Sequence, residues 1–168
     1  MVLKQKIQND LNEAVLGKEE LKSSVLRLLL SAINNKETEK RTKIWKEKPT
    51  TPVEDLEKES QLTDDEIINT ISSEIKKRRE SVDLFEKGGR HEAAEKERKE
   101  SGLLGAYLPE QLSEEELKKI VKIAIEKTGA KEMKDMGKIM GIVAPQVKGR
   151  ADGGLISKVS KELLMGQK

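Results

Sequence analysis

Apolar side chains recur three and four residues apart through most of the chain, the spacing that places them on one face of an α-helix. Stripes of this kind predict helices over residues 2–16, 19–43, 63–87, 90–102 and 114–128, followed by two more that end near residue 166. Nowhere do apolar and polar residues alternate as they do in a half-buried strand. We therefore predict an all-α protein, with four helices in its first part and three in its last.

Two of the predicted helices begin with a capping box. Thr63 is followed three residues later by Glu66, and Ser113 by Glu116, so each pair can satisfy two backbone N–H groups at a helix start. The second box follows the segment YLPEQL, which reads as a linker with little helical periodicity. We predict an N-terminal helical domain over residues 1–106 and a small C-terminal three-helix bundle over residues 107–168.

The segment between the second and third predicted helices, residues 44–61, has two prolines and few apolar residues. That composition predicts a mobile surface loop. Trp45 lies at its base, and we expect it to pack on a helix end.

The stretch from Met133 to Leu164 reads as a helix, a basic glycine-rich turn and a second helix. Its first apolar stripe consists of Met133, Met136, Met140 and Val143. Gly137 and Gly141 lie one turn apart in the same helix, where glycine is unfavourable. We expect these two glycines to allow another backbone to approach closely.

The turn itself, KGRADGG, begins at Lys148. Asp152 is placed to cap the following helix, whose first turn holds Gly153 and Gly154. Two alternatives remain open for this helix start. Asp152 occupies the unpaired N–H groups, or those groups bind a phosphate with help from Lys148 and Arg150.

The composition excludes several classes of chemistry. The chain has 168 residues, no cysteine and a single histidine, His91, in a charged run. Disulfides, thiolate metal sites and a cysteine nucleophile are therefore excluded, and neither a P-loop nor a serine-lysine pair is present. We predict no catalytic residue, metal or cofactor. Without a long apolar run or a signal-peptide core, we expect no membrane span and a cytoplasmic location.

The charge is distributed unevenly along the chain. Residues 1–113 hold 21 basic and 23 acidic side chains, whereas residues 114–168 hold 12 and 8. The whole excess of basic residues lies after Ala130, where 8 side chains are basic and 4 are acidic. A basic C-terminal third indicates an anionic partner.

Four segments together resemble the GatB/YqeY family, in particular its free-standing YqeY-like members: FEKGGR, YLPEQLSEEEL, MKDMGKIMG and VKGRADGGLISKVSKELL. The resemblance covers nearly the whole chain, although residues 44–61 are longer than the family pattern. This family shares its C-terminal module with the tail of the B subunit of the tRNA-dependent amidotransferase. The resemblance implies a tRNA-contacting tail, in which Gly137 and Gly141 serve helix packing and Lys148 to Asp152, including Gly149, form the turn.

The function that follows is a tRNA-associated helical binding module. We expect its basic C-terminal face to contact phosphates and 2′-hydroxyls; the candidate residues are Lys134, Lys138, Lys148, Arg150 and Lys158, with Lys161 extending the surface. Lys148 and Arg150 flank a glycine in a turn, so neither is expected to support the core. The partner would be tRNA or a tRNA-amidotransferase or synthetase complex. Two alternatives remain: an amidotransferase-related carbon–nitrogen ligase activity with glutamine as amide donor, and an accessory protein–protein adaptor.

Overall fold

The computed structural model describes residues 2–165, and no strand occurs among them, which confirms the all-α fold. The α-helices are α1 (Val2–Leu16), α2 (Glu20–Glu47), α3 (Val53–Ser60), α4 (Asp64–Lys87), α5 (His91–Gly105), α6 (Glu114–Thr128), α7 (Met136–Gln146) and α8 (Gly153–Met165), with a short 3-10 helix at Met133–Asp135 before α7. The chain divides into two compact units, Met1–Tyr107 and Leu108–Lys168.

The N-terminal unit is built from the long helices α1, α2, α4 and α5, which pack against one another. Its apolar centre is fully buried and includes Ile7, Leu26, Leu29, Ile33, Ile67, Ile71 and Leu104. These side chains lie three, four or seven residues apart within their helices, as amphipathic packing requires. At the end of the unit, the Tyr107 hydroxyl donates to Asp10 at 2.6 Å, which attaches the end of the α5 segment to α1.

A buried charge joins α4 to α5. The guanidinium of Arg78 contacts Glu74 on its own helix at 3.2 Å and Glu100 on α5 at 3.3 Å. All three side chains are less than a fifth exposed. A buried arginine needs such partners, because an unpaired charge in the interior is very unfavourable.

The predicted loop over residues 44–61 is wrong for most of its length. Helix α2 continues to Glu47, and α3 occupies Val53–Ser60. This short helix packs on α2 through Leu56 and Ser60, two buried residues one turn apart. Arg41 donates to the Ser60 hydroxyl at 3.4 Å, so tertiary contacts help to hold a short helix whose only apolar residues are Val53 and Leu56.

Both predicted capping boxes are confirmed. Thr63 accepts from the Glu66 N–H at 3.2 Å, and Glu66 accepts from the Thr63 N–H at 2.7 Å. Ser113 and Glu116 make the same reciprocal pair at 3.3 and 2.9 Å. The N–H of Ser113 holds the pKa of the Glu116 carboxyl below its usual range, because it stabilises the charged form.

The C-terminal unit consists of α6, α7 and α8, each of which contacts the other two around a single core. Helix α6 supplies Leu117, Val121, Ala124 and Ile125, α7 supplies Ile139 and Val143, and α8 supplies Ile156, Val159 and Leu164. Gly129 ends α6 with a φ of +64°, a left-handed conformation that favours glycine.

Candidate nucleic-acid interface

The basic turn between α7 and α8 is attached to the segment that precedes α6. The side-chain amide of Gln111 donates to the Gly149 carbonyl at 2.6 Å, and the Leu112 N–H donates to the Arg150 carbonyl at 2.8 Å. Gly149 itself has a φ of +72°, where a side chain would be strained. The turn is therefore a fixed part of the C-terminal unit.

Arg150 has a structural contact that the sequence did not reveal. Its Nε donates to the Glu110 carbonyl at 3.1 Å, and the side chain is half-buried. Arg150 is not among the buried core residues of the unit, but this hydrogen bond gives its side chain a structural contact as well as a charge. Lys148, by contrast, is exposed.

Asp152 caps the start of α8, which is the first of the two alternatives for this helix start; the second is phosphate binding. Its Oδ1 accepts from the Leu155 N–H at 2.8 Å, and the same oxygen lies 3.1 Å from where a Cβ on Gly154 would stand. A carboxylate therefore occupies the start of α8 and would repel a bound phosphate. The geometry favours capping over phosphate binding at this position.

The expected packing role of Gly137 and Gly141 is wrong. Both residues are exposed, and a Cβ built on either would meet no described atom within 4 Å, apart from the backbone of its own helix. The reason is the register of α7, which buries Ile139 and Val143. The two glycines face away from this side, and Met133 is about half exposed rather than in the core.

The lysines chosen from the sequence are exposed, but each of three has an acidic neighbour. Lys134 pairs with Glu132 at 3.0 Å, Lys138 with Asp135 at 2.8 Å, and Lys158 with Glu162 at 4.0 Å. Lys138 lowers the pKa of Asp135, because its ammonium group donates to the carboxylate and stabilises the charged form. These cations are partly neutralised within the unit.

Lys158 also belongs to a row of alternating charges between α6 and α8. Lys118 contacts Glu114 at 2.6 Å, and the pKa of Glu114 is lowered first by Lys118 and also by Lys158. The pKa of Lys118 is raised by Glu114 and, more weakly, by Glu162. The charges of the two helices influence one another, so Lys158, like Lys134 and Lys138, has acidic groups nearby within the unit.

Three exposed lysines of α6 were missed: Lys119, Lys122 and Lys127. None forms an ion pair within residues 2–165, although Lys119 is near enough to Glu116 to lower its pKa. The net charge of α6 does not reveal these lysines, because the four glutamates of the helix balance its four lysines. Three of those glutamates lie in the first turn, where they suit the helix dipole and the cap. The remainder of α6 is basic.

Among the described residues, no group of three or more histidine, cysteine, aspartate or glutamate side chains could hold a metal ion. No helix in residues 2–165 combines the length and apolar character that crossing a membrane requires.

Comparison with known proteins identifies the family. Residues 4–164 match the family described as Yqey-like protein, and the chain belongs to that family. A relative from Eremothecium gossypii, named altered inheritance of mitochondria protein 41, mitochondrial, is 32% identical over 102 residues. The similarity covers 61% of this chain and 46% of the relative, so the chain corresponds to about half the length of that protein.

Proposed function

We propose that this YqeY-like helical module binds tRNA through the lysines of its C-terminal unit. The observation that carries the proposal is a set of three exposed lysines on α6, Lys119, Lys122 and Lys127, which have no ion-pair partner among the described residues. Lys134 and Lys138 add exposed positive charge beyond α6. The resemblance to the amidotransferase tail supports tRNA as the partner.

The chemistry of this unit suits recognition of shape rather than of sequence. Lysine contacts phosphates as a point charge and carries little base specificity. The chain's three aromatic residues, Trp45, Phe85 and Tyr107, all precede the C-terminal unit, so that unit has no ring on which a base could stack. Contacts to phosphates and 2′-hydroxyls along a folded RNA would supply the affinity.

A filter-binding titration of the full chain against total tRNA tests the proposal. We expect binding that weakens as salt rises, with log K falling linearly against log salt, because each neutralised phosphate releases counterions. A slope near zero, or no retention of tRNA at low salt, would contradict the proposal. If the chain then still captured an amidotransferase complex after ribonuclease treatment, the adaptor alternative would replace it.

We also propose that the module works in a compartment that contains tRNA. The sequence favours the cytoplasm, whereas the relative from Eremothecium gossypii is named as mitochondrial. Cell fractionation followed by detection of the bound tRNA would separate these two locations.

A further inference from the structure

The chain's single tryptophan, Trp45, lies on the surface near the end of α2. The sequence suggested a packed side chain, but 54% of this residue is exposed. A large aromatic side chain normally gains much of its stabilisation from burial. A half-exposed tryptophan therefore leaves apolar ring surface available for a partner.

Four basic residues lie within four positions of Trp45 in the sequence. Arg41 lies four residues before it, one turn away on the same side of α2, and its Nε donates to the Ser60 hydroxyl. Lys48 directly follows the last residue of the helix, Glu47. Lys43 lies two residues before Trp45 and Lys46 directly after it, at other angles around the helix. None of these three lysines forms an ion pair within the described part of the chain.

Acidic residues are close in sequence, but they do not neutralise these cations by direct contact. Four carboxylates lie on α3, which packs on α2: Glu54, Asp55, Glu57 and Glu59. Within residues 2–165, no ion pair joins α2 to α3. The same unit forms such pairs where the groups do meet, as Lys40 does with Glu66 at 2.9 Å. Glu47, next to Lys46, is the one acid among residues 41–48.

We propose that the end of α2 binds unpaired RNA. One base stacks on the exposed ring of Trp45, and the neighbouring phosphates contact Lys46, Lys48 and Arg41. An aromatic ring interleaved with cations is the combination that single-stranded nucleic acid requires. This site goes beyond the proposed tRNA surface, because it lies in the other unit and adds base stacking.

Tryptophan fluorescence reports on this site alone, because Trp45 is the chain's only tryptophan. The full chain is titrated with a decamer of uridylate at low salt while tryptophan fluorescence is recorded. Stacking of a base on the ring should quench the emission, and added salt should reverse the quenching. Unchanged emission throughout the titration would overturn the proposal.

Variants test the same site without relying on one substitution. Trp45→Ala should weaken binding of a labelled decamer by about 5- to 150-fold, the range expected for one stacked base, and Trp45→Phe should lose less. Lys46→Glu with Lys48→Glu retains the fluorophore and should abolish the quenching. Leu84→Ala is the matched control, because Leu84 is 69% exposed on α4 of the same unit and should leave binding unchanged.

The outcomes for the two sites are distinguishable. Replacing Lys119 and Lys122 with alanine should weaken tRNA binding but leave the decamer's quenching of Trp45 intact. If Trp45→Ala binds the decamer as tightly as the unmodified chain, the α2 site is wrong and the C-terminal proposal is unaffected.

Discussion

Removing the buried guanidinium of Arg78 should destabilise the N-terminal unit. In Arg78→Met, the methionine retains the apolar volume of the side chain but leaves Glu74 and Glu100 without the cation between them. These carboxylates are only 17% and 12% exposed. Breaking one partner of a buried ion pair typically costs about 3–5 kcal/mol. Glu74 still has Lys77 at 2.7 Å, so we expect the lower end, about 3 kcal/mol.

The assay is urea unfolding of the full chain, followed by the fluorescence of Trp45. Because the only tryptophan lies in the N-terminal unit, this signal reports on that unit. With an m-value of roughly 1–2 kcal/mol/M, the midpoint should fall by about 1.5–3 M. Lys77→Met is the matched control: its side chain is 71% exposed, and its loss should cost under about 1 kcal/mol.

The pH dependence provides a second test. Burial alone would raise the pKa of Glu74, but Lys77 and Arg78 outweigh it, and the pKa is lowered. The stabilisation from this carboxylate is therefore complete above its usual value of about 4.5 and disappears as the pH falls through the lowered value. The difference between the unmodified chain and Arg78→Met should shrink over that range. If Arg78→Met costs no more than Lys77→Met at neutral pH, the buried network is not stabilising as argued.

Three further predictions concern local structure. Gly141→Ala should raise the free energy of unfolding by about 0.5–1 kcal/mol, because the site is exposed and helical. Gly149→Ala should lower the free energy of unfolding by about 1–2 kcal/mol, because Gly149 has a positive φ. Thermal unfolding followed by circular dichroism measures both changes. Arg150→Ala should lower the free energy of unfolding by about 0.5–1.5 kcal/mol, because the hydrogen bond to the Glu110 carbonyl is lost. The same substitution should raise the pKa of Glu116, which NMR titration would detect. Brief digestion with a protease of broad specificity should cut within residues 48–52, between α2 and α3, before it cuts inside α3; initial cleavage inside α3 would contradict its packing.

The helices and their capping boxes were predictable because their signals are local. Apolar spacing and the pairs Thr63–Glu66 and Ser113–Glu116 act within one or two turns of the chain. Helix α3 was missed because it is only 8 residues long, follows two prolines and has just two apolar residues, Val53 and Leu56. Its buried residues, Leu56 and Ser60, lie in the helix that packs on α2.

The candidate site was less predictable because it depends on which charges meet. A count of basic residues after Ala130 does not show that Lys134 and Lys138 face acids. The same count leaves out α6, whose glutamates lie largely in its first turn. The contact between Arg150 and Glu110 joins residues 40 positions apart and leaves no local pattern. The two glycines of α7 were misread because glycine spacing alone does not indicate which face of a helix is packed.

The central claim is that lysines of the C-terminal unit bind the phosphates of tRNA. Its most direct test compares the salt dependence of tRNA affinity for two double variants of the full chain. Lys119→Ala with Lys122→Ala removes two exposed cations from α6, and Lys96→Ala with Lys99→Ala removes two exposed cations from α5. We expect the α6 pair to weaken binding and to reduce the log–log slope by roughly 1.4–1.8, with the α5 pair unchanged. Equal affinity and equal slope for the two double variants would contradict the claim.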